Sequence, residues 1–162
     1  MSKSNLGSTH EVLARVQSLL HEGQPNKAIE LLSRCRMGNP ELSNAYEFCL
    51  LRAGELDKAV DVYQGLCLNG SVCFKPGSST LHLVNYATAL LLKGNVSGCL
   101  AALHRAPDPS HPAAQRLLDA IQRWQRSLGW VQRLRMALAS YRPAKPVELG
   151  FEPGQFANGT GS

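Results

Sequence analysis

The side chains that could do chemistry are spread thinly along this chain of 162 residues. Its histidines have neither a partner four positions away nor a cysteine at zinc-ligand spacing. They are His10, His21, His82, His104 and His111. The stretch KPGSST at 75–80 has the residue order of a turn and a helix N-cap at Ser79 or Thr80, not that of a phosphate-binding loop. No catalytic motif occurs either, so we expect no enzyme activity, no metal and no cofactor.

The cysteines and carboxylates also favour structural roles. The five cysteines include no C-x-x-C pair, and most lie in apolar helical patterns, where a free thiol behaves as a small hydrophobic side chain. The first ten residues lack the apolar run of a secretory signal, so we expect reduced cysteines and a cytoplasmic location. The carboxylates of residues 1–99 fall mostly on expected solvent faces. They are Glu11, Glu22, Glu30, Glu41, Glu47, Glu55, Asp57 and Asp61.

One segment concentrates positive charge and aromatic rings. Residues 100–145 carry eight Lys or Arg against two carboxylates, whereas residues 1–99 carry nine against eight. Near its end, Trp124 and Trp130 are interleaved with arginines that could form a basic surface: Arg123, Arg126, Arg133 and Arg135. Such a helix can bind nucleic acid or an anionic membrane. More often it packs its tryptophan face on the fold and leaves its arginines in solvent, and both interpretations stay open.

Helices must position these residues, because apolar side chains recur at intervals of three and four along most of the chain. Glycines and prolines divide the pattern into helix pairs over about 10–37, 41–68, 80–105 and 111–141. The stretch NGSVCFKPGSS at 69–79 is expected to be a loop. We predict an all-α fold with one helical domain over 9–141. Residues 1–8 form a flexible N-terminus, and the Pro/Gly-rich tail, 142–162, is extended or disordered.

Three segments that begin at glycines share one sequence pattern: GQPNKAIELL at 23–32, GELDKAVDVY at 54–63 and GNVSGCLAAL at 94–103. Each begins with glycine, has a small residue five positions later (Ala28, Ala59 or Cys99) and an apolar residue four further on. The glycines are 31 and 40 positions apart, and the longer interval contains the expected loop. Pairs of short helices with a period in the thirties are typical of helical repeats.

On these residues the chain resembles the tetratricopeptide-repeat (TPR) family over residues 9–107, with 111–141 as a degenerate fourth pair or a cap. The third copy, residues 80–107, carries most of the resemblance through Tyr86, Ala87, Gly94 and Cys99. The resemblance implies an α-α superhelical solenoid of antiparallel helix pairs whose first helices line a concave groove. The residues that it places in this groove are Leu13, Gln17, Leu20, His21, Asn44, Phe48, Leu51, Arg52, Val84, Thr88 and Leu91.

The resemblance implies a non-catalytic module that binds a protein or peptide partner. Leu13 and Leu81 stand where some family members carry basic residues for a terminal carboxylate, so an apolar or amphipathic partner segment is favoured. Three alternatives remain. Several groove leucines could be internal packing, and the fifth helix (80–93) could support a homo-oligomer. The basic segment 112–142 could instead make the chain an adaptor for nucleic acid or an anionic membrane surface. The apolar residues of the tail (Val147, Leu149, Phe151 and Phe156) could also lie on the fold of their own or a neighbouring chain.

Overall fold

The structure is a computed structural model, and it describes residues 8–35, 39–69, 73–129 and 147–154. These residues form seven α-helices, which confirms the all-α class. The helices are α1 (Thr9–His21), α2 (Pro25–Cys35), α3 (Pro40–Ala53), α4 (Leu56–Cys67), α5 (Thr80–Leu92), α6 (Val96–His104) and α7 (Pro112–Ser127). The eighth predicted helix, 130–141, lies outside the described residues. Among the described helices, none has both the length and the apolar character that a membrane-spanning segment requires.

Short polar side chains begin most of these helices by satisfying backbone N–H groups that have no partner within the helix. Ser8 and Glu11 form a reciprocal capping box at α1. The carboxamide of Asn39 accepts from two N–H groups of α3. Ser79 caps α5, as one of the two sequence alternatives predicted. Pro25 and Pro112 stand first in α2 and α7, where their missing N–H costs nothing.

The three repeated turns have one backbone geometry. The glycines Gly23, Gly54 and Gly94 have φ of 69°, 75° and 77°, a left-handed conformation that glycine adopts without strain from a Cβ atom. Each glycine N–H donates to the carbonyl three residues back, and the next N–H donates to the carbonyl five residues back. This pattern satisfies the last carbonyls of α1, α3 and α5 alike. The sequence repeat therefore corresponds to a repeated local structure.

The segment expected to be a loop contains a short antiparallel ladder. Strand β1 (Leu68–Asn69) pairs with β2 (Cys73–Phe74), with Leu68 opposite Phe74. The backbone N–H of Lys75 extends the pairing by donating to the Cys67 carbonyl, and the Lys75 ammonium donates to the Gly65 carbonyl over 2.6 Å. Two-residue strands carry too little alternation to be read from a sequence, so this feature was not predicted.

The chain divides into two compact units, and the boundary between them falls within α4. The first unit comprises residues 1–59 and 154–162. In it α1 packs on α2 and α3, and α2 packs on α3. The core of this unit is built from one face of α1 and the facing sides of α2 and α3: Val12, Leu13, Val16, Leu19, Ala28, Leu32, Leu42, Ala45, Phe48 and Cys49.

The second unit comprises residues 60–153. Helix α5 is its central element and packs against both α6 and α7. The rings of Tyr63 and Tyr86 lie 6.4 Å apart in a tilted arrangement. The small residues of the repeated turns, Ala28, Ala59 and Cys99, are each fully buried in their own unit, as close contact between helices requires.

Candidate functional site

The residues assigned to the groove fall into two sets, one in each unit, and each set is described separately. In the first unit Leu13, Asn44, Phe48 and Leu51 are buried, Leu20 and Arg52 are half-buried, and Gln17 and His21 are exposed. In the second unit Val84, Thr88 and Leu91 are all buried. Most of the predicted lining is therefore covered within the chain, and the exposed part of it is polar.

The most unusual of these residues is Asn44 on α3. It is only 2% exposed, and among the described residues neither its amide nitrogen nor its amide oxygen has a hydrogen-bond partner. Leaving a buried polar group unpaired costs about 1–3 kcal/mol, so such a group calls for an explanation. An amide side chain presents one donor group and one acceptor side by side, which is the complement of a peptide unit.

Asn44 shares a helix face with two apolar residues. Phe48 and Leu51 follow it at intervals of four and three, which places the three on one side of α3. We call these three residues the α3 face. The guanidinium carbon of Arg52 lies 5.1 Å from the centre of the Phe48 ring, a cation–π distance. The α3 face thus combines an unpaired amide, an aromatic ring with a cation above it and an aliphatic side chain.

The chain's own backbone approaches this face at Gly154, a residue of the same unit. A Cβ atom on Gly154 would lie 2.8 Å from Cδ2 of Phe48 and 3.3 Å from Cδ1 of Leu51. Real Cβ contacts are longer than the first of these distances, so only glycine fits here without displacing the ring. Its φ of 86° is also in the region that disfavours other residues. A segment of peptide backbone therefore lies directly against Phe48.

The groove residues of α5 behave differently. The hydroxyl of Thr88 donates to the Val84 carbonyl over 2.8 Å, so its polar group is satisfied within the helix. Every residue from Leu83 to Leu91 is buried within the single chain. These residues act as core, in keeping with the internal-packing alternative. Elsewhere in α5, Leu81 and Leu92 are half-buried.

One carboxylate departs from the expected pattern. The carboxylates were expected mostly on solvent faces, but Glu47 is 0% exposed. The next two residues of α3, Phe48 and Cys49, are buried as well. The other seven carboxylates of residues 1–99 are exposed, as predicted.

Burial shifts the pKa values of several described groups. Burial raises the pKa of both the Cys49 and the Cys99 thiols to about 12, although the charge of Arg52 partly opposes this shift at Cys49. These thiols are neutral at physiological pH and therefore poor nucleophiles. Burial lowers the pKa of His82. In the described ranges no three His, Cys, Asp or Glu side chains are close enough to hold a metal ion.

The proposed basic surface is only partly described. Arg123 donates from Nη2 to the Leu149 carbonyl over 3.3 Å, and both residues belong to the second unit. Trp124 is buried, so its ring faces the fold and not the solvent. Arg126 is exposed, whereas Arg133, Arg135 and Trp130 lie outside the described residues. For the described part of α7, the packing interpretation of this segment is the better one.

The described part of the tail, residues 147–154, packs on the fold without forming a helix or a strand. Val147 and Leu149 are each buried, and the Leu149 carbonyl accepts the Arg123 hydrogen bond. Phe151 is half-buried, whereas Phe156 lies outside the described residues. The apolar residues that the sequence marked as anchors therefore include at least two that are covered.

Sequence reasoning placed Asn44, Phe48 and Leu51 together but missed what distinguishes them. The residue pattern does not show that the Asn44 amide is buried without a partner among the described residues. It also does not show that Gly154, 103 positions after Leu51, contacts the Phe48 ring. Models of protein families give no match to the chain. Curated proteins and solved structures give none either.

Proposed function

We propose that this chain is a non-catalytic interaction module built from TPR-like helix pairs, and that it binds a peptide segment of a protein partner on the α3 face. The observation that carries the proposal is the unpaired, buried amide of Asn44 beside Phe48 and Leu51. A bound peptide would supply the N–H and the C=O that this amide lacks. The neighbouring apolar side chains would then contact the side chains of the peptide.

Two further observations support the proposal. The repeated turns, with one φ range and one hydrogen-bond pattern, are what a chain of stacked helix pairs needs. The fully buried small residues at Ala28, Ala59 and Cys99 let the paired helices approach closely. The resemblance to TPR proteins supplies the solenoid arrangement and the use of first helices as binding surface.

The side chains of the α3 face suggest the chemistry of the partner. The Phe48 ring and the Leu51 side chain lie on the same side of α3 as the Asn44 amide. A partner segment with apolar side chains and a backbone amide that is not already hydrogen-bonded fits these groups. The proposed ligand is therefore an apolar or amphipathic peptide.

Peptide display against the full-length chain tests the proposal. We expect selected peptides to lose at least about tenfold in affinity for Asn44→Ala, since one lost hydrogen-bonding group is worth about 1–3 kcal/mol. Ser43→Ala is the matched control, because Ser43 is the neighbouring residue and does not belong to the α3 face. Equal affinities for the Asn44 variant and the wild type would reject the α3 face as the site. Binding that survives only at low salt and disappears with nuclease would move the function to the basic segment.

A further inference from the structure

The contact between Gly154 and the α3 face has a consequence for the ligand. The backbone at Gly154 lies against Phe48 and Leu51, so a peptide that contacts these two side chains needs the same space. Two objects cannot occupy this position together. The chain therefore presents its own segment to the surface that the proposed function assigns to a partner. The tail leaves the Asn44 amide without a partner among the described residues, and a displacing ligand would supply that partner.

We propose that the α3 face is occupied in cis by the chain's own tail at Gly154, and that an external ligand must displace it. This inference rests on the proposed function and deepens it. It also specifies the ligand. The partner peptide carries a glycine at the point that meets Phe48, since a Cβ there would come within 2.8 Å of the ring.

The conformation of Gly154 narrows the ligand further. Its φ of 86° is a left-handed value that residues with a Cβ atom rarely adopt, and Pro153 precedes it. The ligand class is therefore a peptide with a glycine in this left-handed conformation, which the interior of a regular helix does not contain.

The tail is attached to the same chain as the α3 face, so a free peptide displaces it only with difficulty. A segment attached to the same chain competes at an effective concentration of about millimolar. A free peptide can bind only the fraction of chains in which the tail has left the α3 face. Its apparent dissociation constant is therefore the intrinsic one divided by that fraction. Only partners that bind well below that concentration, or that arrive at high local concentration, displace it. The tail would thus act as a threshold on binding.

The first arm of the test is a nuclear magnetic resonance measurement on the full-length chain. In the contact geometry the Gly154 α-protons lie beside the Phe48 ring, so their resonances are expected to be shifted by the ring current. Phe48→Leu keeps an apolar side chain but removes the ring, and the shift should vanish. Unshifted Gly154 resonances in the wild type, or the same shift in Phe48→Leu, would overturn the inference.

The second arm measures binding of a fluorescent synthetic peptide of residues 147–158 to the full-length chain. We expect Gly154→Ala to bind this peptide at least about tenfold more tightly than the wild type, because its own tail no longer fits the face. Gly150→Ala is the matched control: Gly150 also has a positive φ, of 71°, but the nearest atom to its added Cβ is an arginine nitrogen at 3.9 Å. Its affinity should stay within about threefold of the wild type.

The two arms separate the possible failures. Equal peptide affinities for the wild type and Gly154→Ala would overturn occupancy in cis, whether or not selected peptides bind elsewhere. A ring-current shift at Gly154, together with no peptide binding to any variant, would support the tail contact and overturn the proposed function. Tighter binding to Gly154→Ala that Phe48→Ala then abolishes would support both.

Discussion

Helices α3 and α5 hold equivalent places in successive helix pairs, yet they treat the same positions in opposite ways. Both end at a glycine with positive φ, Gly54 and Gly94, which are 40 positions apart. At this offset the buried Asn44 of α3 corresponds to Val84 of α5, and the buried Glu47 corresponds to Ala87. Helix α5 also buries two polar side chains, Asn85 and Thr88, and the Thr88 hydroxyl donates to the Val84 carbonyl. In α3 the buried Asn44 amide has no hydrogen-bond partner among the described residues.

The difference lies in one amide side chain. A fold gains no stability from an unpaired buried amide, and the corresponding valine shows that an apolar residue fits a position of this kind. The stability of the fold therefore does not account for Asn44. Exchanging residues between the two helices should make this difference measurable.

The largest effect is expected when the polar residue is moved into the core helix. Val84→Asn loses the burial of an apolar side chain and buries an amide, so the free energy of unfolding should fall by about 3–5 kcal/mol. Urea unfolding of the full-length chain measures it. Val84→Ala is the control, since it removes the apolar contacts without adding an amide. If both variants lose the same stability, an amide at position 84 adds no cost, and the contrast between Asn44 and Val84 has no energetic basis.

High pH should destabilise both compact units, because Cys49 in the first and Cys99 in the second are buried thiols. The pKa values of Cys49 and Cys99 are raised from 9.0 to about 12. Between these values the unfolded chain has lost protons that the folded chain retains, so stability falls as the pH rises from about 9 to 12. At pH 10 we expect a loss of about 1 kcal/mol per thiol relative to pH 7.

The double variant Cys49→Ala, Cys99→Ala provides the control for this pH effect. Lysine and tyrosine titrations are common to the variant and the wild type, so the difference between their pH profiles isolates the two thiols. We expect the variant to lose about 2 kcal/mol less than the wild type between pH 7 and pH 10. Parallel profiles would show that the thiols are not held neutral by the fold.

The reverse exchange should stabilise the protein while impairing binding. Asn44→Val replaces the unpaired amide with an apolar side chain and should raise the free energy of unfolding by about 1 kcal/mol. The same variant should bind display-selected peptides less tightly than the wild type. A gain in stability without a loss of affinity would mean that Asn44 serves neither folding nor binding.

The smallest effects belong to the feature that the two helices share. Gly54→Ala and Gly94→Ala each place a Cβ in a left-handed backbone conformation but in open space, so each should cost about 1 kcal/mol. Thermal or urea unfolding should give values that differ by less than about 0.5 kcal/mol. A large difference would show that the repeated turns are alike in geometry but not in energy.

Much of the fold could be predicted from local signals. Most helix ends could be predicted to within one or two residues. The signals were the glycines of the three turns, the prolines that begin α2 and α7, and the apolar residues spaced by three and four. These signals depend on neighbours in the chain, which a sequence shows directly. The class of the fold followed from them.

The site could be predicted only in part, because its distinctive properties depend on distant contacts. Glu47 looked like a solvent-facing carboxylate, since a polar residue in a helix is usually exposed. Its burial depends on how α3 packs, which α3's own sequence does not show. The approach of Gly154 to Phe48 likewise joins residues more than a hundred positions apart. A two-residue ladder at 68–74 was too short to leave a pattern.

The three repeated turns also bear on how such a chain can change its length. Each turn is closed by two backbone hydrogen bonds that reach back no more than five residues, with open space around its glycine. The shape of each turn therefore depends only on residues that are close together in the sequence. A tandem duplication from one of these glycines to the next would insert a turn that already closes correctly. One duplication would lengthen the chain and add a copied first helix, and later substitutions could then change its polar residues.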